Sequence, residues 1–259
     1  MSREKKLIIG NWKMNLNVHD SSLYIHKLAQ LVKVHRDVEV VIAPTLLALQ
    51  TLSLQVNYRQ FKLAAQNFYW RDHGAFTGEV SATQLQGLVQ YGLVGHSERR
   101  HVFNESDKDT RAKVQAALRN NIHPILCIGE TTAERTMNET NDVLHDQLIG
   151  GLANVTSEEL DSVIIAYEPV WAIGTGNNAT AQDVAVAVRA IRSQLKHLYG
   201  ARAAEKVSVL YGGSVTVDSA ADYLALPDVD GLLIGGASLD AHAFNTIIEK
   251  AFKRSKAHK

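Results

Sequence analysis

Residues 166–176 read AYEPVWAIGTG, and this stretch sets the pattern that the rest of the chain repeats. Its first residues complete a short apolar run that has the composition of a buried strand and leads to a single carboxylate, Glu168. Pro169 disfavours helical geometry at the residue before it, so we expect the strand to end with Glu168 at its C-terminal mouth. An apolar segment bounded by Gly174 and Gly176 follows, which is typical of a lid that closes as a unit. A surface loop that packs its tryptophan on a neighbour is the alternative.

A helix is predicted directly after this loop. Thr180 and Asp183 have the spacing of a capping box, and apolar residues then recur at helical intervals. The predicted apolar face consists of Val184, Val188, Ile191, Leu195 and Leu198. Ser81 with Gln84, and Ser106 with Asp109, open other predicted helices in the same way.

The order of strand and then helix recurs along the whole chain. The predicted strands are residues 7–9, 38–43, 61–65, 93–95, 122–128, 163–166, 207–210 and 232–234. Eight such units without a change of composition to mark a linker predict an α/β fold, a single eight-stranded parallel β/α barrel. We expect one catalytic domain over residues 1–259, with residues 252–259 as a flexible basic tail.

An open doubly wound sheet is the rival fold, and it would carry a phosphate fingerprint straight after an early strand. The nearest match, G-x-G-x-x-A at residues 174–179, begins several residues beyond its strand. The sequence therefore argues against a dinucleotide cofactor, and we expect no cofactor.

Composition and charge narrow the choice of partners. The 27 basic residues balance the 27 acidic ones, which argues against nucleic acid or a membrane surface held by bulk charge. Cys127 is the only cysteine, so an internal disulfide is impossible and a reducing compartment fits. The start of the chain lacks the long apolar core of a signal peptide. We expect a cytoplasmic protein whose lone cysteine is a buried small hydrophobe.

Functional residues of such a barrel stand where the strands end, on one rim. Strand one leads to Asn11 and Lys13, strand four to His96 and Glu98, and strand six to Glu168. The other strand ends also supply Gln66, Asn67, Gly129 and Glu130. Lys13, between apolar and amide residues, is expected to neutralise a phosphate or a developing oxyanion, with Asn11 donating a hydrogen bond.

Two glycine pairs predict an anion site at the last two strands. Strand seven runs into YGGSV, which carries Ser214, and strand eight into IGGAS, which carries Gly235 and Gly236. This fold often holds a phosphate between these two loops, on backbone N–H groups and a short helix N-terminus. Two tight turns that need positive φ are the structural alternative.

His96 precedes SERRHVF, which is typical of a short helix. The positive end of the helix dipole disfavours the imidazolium, so we expect a neutral hydrogen-bond donor. A metal site with His101 is disfavoured because five helical residues turn through about 140°, so we expect no metal. No serine completes G-x-S-x-G. We expect Glu98 to hold Lys13 or His96 in place, and the neighbouring arginines to form structural ion pairs.

A carboxylate under a lid, a neutral histidine, a lysine and a phosphate site together suit one type of chemistry. They can remove a proton next to a carbonyl, stabilise the enediolate and return the proton to the neighbouring carbon. Another phosphosugar isomerase or epimerase on the same barrel remains an alternative, as does a catalytically silent phosphate-binding protein.

The chain closely resembles the triosephosphate isomerase family, in segments that run from the first strand to the last. These segments are GNWKMN, AQN, GAFTGE, GHSERR, CIGE, YEPVWAIGTG, YGGSV and GGASL, in the order of that family. In that family a glutamate base works with a neutral histidine beneath a closing loop. The resemblance implies a TIM barrel that interconverts dihydroxyacetone phosphate and glyceraldehyde 3-phosphate without a cofactor.

The resemblance also implies a role for each residue. Glu168 would be the base, His96 the electrophile, and Lys13 the stabiliser of charge, with Asn11 assisting. Gly174, Ser214, Gly235 and Gly236 would hold the phosphate. The family implies a homodimer in which a loop that begins at Gly74 and ends at Glu79 reaches the partner's site, with Thr77 at its tip.

Two departures from the family pattern stand out. Asn177 and Asn178 follow Gly176 where the family commonly has a basic residue and a threonine, so the kinetics of the lid are expected to differ. The approach to the dimer loop, residues 68–73, is bulky and aromatic, and we expect it to pack at a subunit interface.

Overall fold

The computed structural model describes residues 5–174 and 178–257, with side chains through residue 253. Within this part of the chain the strands form a closed barrel in sequential order, and β8 pairs in parallel with β1. The strands are β1 Lys6–Asn11, β2 Val38–Ala43, β3 Phe61–Ala65, β4 Tyr91–Val94, β5 His123–Ile128, β6 Ile164–Tyr167, β7 Ser208–Tyr211 and β8 Gly231–Ile234. The predicted parallel barrel is confirmed, and the open sheet is excluded because no edge is left unpaired among these strands.

The helices follow the strands around the outside of the barrel. They are α1 Val18–Leu31, α2 Leu46–Gln55, α3 Ala82–Leu85, α4 Ser97–His101, α5 Asp107–Arg119, α6 Thr132–Thr136, α7 Thr140–Leu152, α8 Ala181–Tyr199, α9 Ala201–Ala204, α10 Ala220–Leu224 and α11 Ala241–Ala257. Short 3-10 turns occupy Glu159–Ser162, Val170–Ala172 and Gly236–Leu239. None of the described helices is long and apolar enough to cross a membrane.

Local sequence explains where several helices begin. Capping boxes are present at the three positions predicted for them, so each side chain accepts from a backbone N–H that would otherwise lack a partner. In α8 the apolar face is buried as predicted as far as Leu195, whereas Leu198 is exposed in the last turn. α11 continues through residues 252–257, where Phe252 stacks on His35 at a centroid distance of 3.7 Å.

The hydrophobic core has two layers. One layer lies between the barrel and its helices, and the other fills the barrel itself. The inner layer consists of Leu7, Ile9, Val41, Ala43, Ala64, Tyr91, Leu93, Ile125, Cys127, Ile164, Ala166, Leu210 and Leu233. These residues alternate along their strands, because successive side chains of a strand point to opposite faces. The next inward position at the C-terminal rim is therefore Asn11 on β1, Gln66 after β3 and Glu168 after β6.

Candidate active site

Glu168 lies at the rim of the barrel on its inner face, because it continues the inward alternation of Ile164 and Ala166 along β6. The residue is 2% exposed. Gly212, from the end of β7, packs directly against it: a Cβ added there would lie 2.9 Å from Glu168 Cγ. The carboxylate is thus held in a close-fitting position that a larger neighbour would disturb.

Two donors face the oxygens of this carboxylate. The Ser97 N–H donates to Oε2 at 2.9 Å, and His96 Nε2 lies 3.1 Å from Oε1. Ser97 is the first residue of α4, so the negative charge lies at the positive end of that helix. Burial, and then the charge of Glu168, raise the pKa of the Cys127 thiol well above its usual range. The thiol therefore stays protonated beneath the site, as a buried small residue.

His96 is the N-cap residue of α4, which fixes its tautomer. Its Nδ1 accepts a hydrogen bond from the Glu98 N–H at 3.2 Å. A ring nitrogen that accepts carries no proton, so a neutral ring has its proton on Nε2. Nε2 is the atom that faces Glu168, and the imidazole can therefore act as a neutral donor at the rim.

Lys13 is held next to this pair in an unusual backbone conformation, with φ at 53°. Its N–H donates to Asn11 Oδ1 at 3.0 Å, and its Nζ lies 2.6 Å from Glu98 Oε1. Both side chains of the ion pair are partly exposed, so the pair contributes little to stability and mainly fixes the direction of the ammonium group. The predicted contact between Glu98 and Lys13 is thus present.

One cavity of about 420 Å³ brings the predicted residues together. Its lining includes Asn11, Lys13, His96, Glu168, Gly174, Ser214, Gly235 and Gly236. Glu98 lies outside this lining, behind Lys13. The cavity has an acid-base end at His96 and Glu168 and an end of backbone glycines and a hydroxyl that suits an anion.

The neighbouring arginines form structural ion pairs, as predicted. Arg99 Nε lies 2.5 Å from Glu105, and Arg100 binds Asp107 at 2.6 Å. Glu105 also accepts from the Gly95 N–H and pairs with the buried Lys113 at 2.6 Å. Burial raises the pKa of Glu105, but Lys113 and Arg99 outweigh it and hold that pKa below its usual range. The carboxylate therefore stays charged and fixes the strand end that carries His96.

The start of the predicted lid is anchored by contacts that the sequence did not reveal. We define the lid arm as residues 170–174. Trp171 Nε1 donates to Glu130 Oε1 at 2.8 Å, and the Arg135 guanidinium lies 4.0 Å above the indole ring. Arg135 also binds Asp183, at 2.7 Å. Burial raises the pKa of Asp183, but hydrogen bonds from Thr180 and Arg135 outweigh it and hold that pKa below its usual range.

The predicted C-terminal hinge of the lid, at Gly176, Asn177 and Asn178, follows the lid arm. The hinge residues Gly176 and Asn177 lie outside the described residues, whereas Asn178 is exposed ahead of α8.

As for metals, the described residues contain no group of three His, Cys, Asp or Glu side chains that could hold an ion.

Fold and site together define a β/α-barrel enzyme with a carboxylate, an imidazole and an ammonium group at its C-terminal rim. A family model described as triosephosphate isomerase matches residues 6–251. The chain belongs to the triosephosphate isomerase family.

Relatives named triosephosphate isomerase extend over nearly the whole chain. One from Clostridium acetobutylicum is 45% identical over 243 residues, which cover 93% of this chain and 98% of the relative. One from Trichlorobacter lovleyi is 42% identical over 246 residues, or 93% of this chain and 97% of the relative. One from Alkaliphilus oremlandii is 41% identical over 246 residues, or 94% and 98%.

Proposed function

We propose that this protein interconverts dihydroxyacetone phosphate and D-glyceraldehyde 3-phosphate by proton transfer through an enediolate. The family match over residues 6–251 supports the reaction, and the shared cavity supports the roles given to the residues. The observation that carries the proposal is the placement of His96 Nε2 at 3.1 Å from the buried carboxylate of Glu168, in the same cavity as Lys13 and the glycine pairs.

Glu168 is the base in this mechanism. It removes a proton from the carbon next to the substrate carbonyl and returns it to the neighbouring carbon. Meanwhile one proton passes between the two oxygens, from the hydroxyl that becomes the carbonyl to the oxygen that becomes the hydroxyl. The carboxylate is buried and lines the cavity, so it meets the substrate rather than bulk water.

His96, Lys13 and Asn11 stabilise the charge that develops on the two oxygens of the enediolate. The Nε2–H group of neutral His96 donates a hydrogen bond to the developing oxyanion. The ammonium group of Lys13 supplies positive charge beside it. Glu98 holds the Lys13 ammonium at the cavity wall and acts through it.

Gly174, Ser214, Gly235 and Gly236 bind the phosphate. Glycines allow backbone N–H groups to approach the anion closely, and the Ser214 hydroxyl donates beside them. Gly174 belongs to the lid arm, so phosphate binding favours a closed lid. Closure is useful chemically, because an enediolate open to water loses its phosphate.

We also propose that the protein forms a homodimer through the loop from Gly74 to Glu79. A second cavity, of about 220 Å³, opens beside Lys13 and Glu98 and suits the tip residue Thr77 of a partner. Two apolar side chains of its lining are exposed, Met14 at 94% and Phe103 at 63%. Action in the cytoplasm agrees with the single buried cysteine.

Glu168→Asp tests the catalytic role. Shortening the base by one methylene moves the carboxylate by about 1 Å, so we expect kcat to fall by about 100-fold or more while KM changes little. The measurement is a coupled assay with glyceraldehyde 3-phosphate. Glu249→Asp is the control, since Glu249 pairs with His35 at the opposite end of the barrel. Unchanged turnover in Glu168→Asp would remove Glu168 from the mechanism.

A further inference from the structure

Lys13 has a backbone conformation that its neighbours must maintain. Its φ of 53° lies in the left-handed region, which a residue with a Cβ occupies at a cost in free energy. Glycine would adopt this conformation freely, but it would not carry an ammonium group into the cavity. A lysine at this position therefore combines a strained backbone with an ammonium group in the cavity, and other groups hold that backbone in place.

Two side chains hold Lys13, one on each side of its peptide groups. Asn11 Oδ1 accepts from the Lys13 N–H at 3.0 Å, and Gln66 Nε2 donates to the Lys13 carbonyl at 2.9 Å. Asn11 lines the substrate cavity itself, whereas Gln66 lines the adjacent cavity beside Glu98. Gln66 is thus placed to act on Lys13 without contact with the substrate.

The same amide nitrogen of Gln66 also ties the rim together. It donates to the Ala43 carbonyl at 2.8 Å, and that carbonyl accepts a further bond from the Trp12 N–H at 3.1 Å. Ala43 ends β2, Gln66 follows β3, and Lys13 follows β1. An amide nitrogen has two protons, so both are used in fixing Lys13 to the ends of the two neighbouring strands.

We propose that Gln66 is a positioning residue for the isomerase reaction, which holds the Lys13 ammonium at the cavity wall by fixing its left-handed backbone. This inference rests on the proposed function for its kinetic consequences, and on the geometry of Lys13 alone for its structural ones. Glu98 sets the direction of the lysine side chain, and Gln66 sets the backbone from which that side chain extends.

Gln66→Met is the first test, because methionine has a similar length and no donor. Its kcat/KM should fall by about 10- to 100-fold, the range expected when a catalytic group is displaced by about 1 Å. Both kcat and KM should change, since Lys13 contacts the phosphate as well as the developing oxyanion. Gln66→Glu is the second variant. It keeps the shape of the side chain, replaces the donor by an acceptor and should lose activity in the same direction.

Gln60→Met is the matched control. Gln60 precedes β3 at the other end of the barrel, and its Nε2 also donates to two backbone carbonyls, those of Ala29 at 3.1 Å and Val32 at 2.9 Å. Both substitutions to methionine should lower Tm by similar amounts, because each removes two hydrogen bonds of the same kind. Only Gln66→Met should lower kcat/KM.

A double-mutant cycle with Lys13→Ala separates positioning from a general structural role. Where the amine is absent, Gln66→Met should change activity less than about twofold, because the two substitutions remove one shared contribution. An equal loss in both backgrounds would overturn the proposal. Light scattering on each variant excludes a change of oligomeric state as the cause.

A crystal structure of Gln66→Met provides a result that does not depend on the reaction. The φ angle of Lys13 should move away from 53°, or its Nζ should shift by about 1 Å or more. If the wild-type protein fails to convert glyceraldehyde 3-phosphate, the proposed function fails, and this structure still decides the role of Gln66. An unchanged Lys13 would overturn the inference even if the wild-type protein is an active isomerase.

Discussion

At the scale of single residues, Glu168 shows how the chemistry depends on close packing. The carboxylate is buried and faces the N-terminus of α4, and its side chain packs against Gly212, a glycine directly after β7. Its direction is set by the backbone around it, since Ser97 contributes an N–H and Gly212 contributes space. A change that keeps every catalytic residue can therefore still disturb the site.

Gly212→Ala is such a change. The new Cβ would lie 2.9 Å from Glu168 Cγ, so the carboxylate must move, and kcat should fall by about 10- to 100-fold. Overpacking should also lower the free energy of unfolding, by about 1–3 kcal/mol. Steady-state kinetics and chemical denaturation measure the two effects. Gly150→Ala in α7, where the nearest contact of a new Cβ is 3.3 Å, is the control. Full activity in Gly212→Ala would mean that Glu168 has more room than this contact allows.

At the scale of elements, the lid arm is fixed by a chain of charged and aromatic contacts. Trp171 is bound to Glu130, which follows β5, and lies beneath Arg135 of α6. Arg135 then reaches Asp183, in the first turn of α8. The two helices and the strand end around the lid therefore hold one tryptophan between them.

Trp171→Phe tests this anchor because it removes the indole N–H and keeps an aromatic ring. A hydrogen bond to a charged acceptor contributes about 1.5–3 kcal/mol, so its loss should expose the arm to solvent more often. Hydrogen exchange of the Ala172 and Ile173 amides, which bond to Pro169 and Val170, should be about 10-fold faster or more. Tyr199→Phe, which removes a bond from a tyrosine hydroxyl to Leu152 between α8 and α7, should leave these amides unchanged. Unaltered exchange in Trp171→Phe would show that the indole bond does not hold the arm.

At the scale of the whole molecule, the proposed dimer joins the loop from Gly74 to Glu79 to the chemistry of a second copy. The base of this loop is stiffened by aromatic contacts, with Tyr69 at 4.1 Å from Trp70 and 4.6 Å from Phe76 between ring centroids. The bulky approach predicted from the sequence thus packs on its own loop. Its place at an interface stays a prediction.

Thr77→Arg tests the dimer. A long cation at the loop tip would not suit a cavity of about 220 Å³ whose lining already includes the cationic side chains of Lys13 and Arg99. We expect the mass from light scattering to fall from that of two chains to one, with a loss of activity of about 10-fold or more because the loop no longer supports Lys13. Leu54→Arg, at an 85% exposed position on α2, should leave mass and activity unchanged. A single-chain mass for the wild-type protein would contradict the proposal.

The sequence by itself determined the order of the elements, most strand limits to within one residue, and the residues at the rim. These properties are local: apolar runs mark strands, capping boxes mark helix starts, and a proline after Glu168 ends β6. The rule that functional residues follow barrel strands then selected all the residues that line the main cavity at its acid-base end.

Only the tertiary structure decided how these residues hold one another. Lys13 meets Glu98 across 85 positions of sequence, and Ser97 meets Glu168 across 71. The double hydrogen bond of Gln66 depends likewise on the register of β1, β2 and β3. Such contacts have no local pattern, because barrel closure sets which strand ends are neighbours. The sequence therefore determined which groups reach the rim, and closure of the barrel decided the partners that orient them.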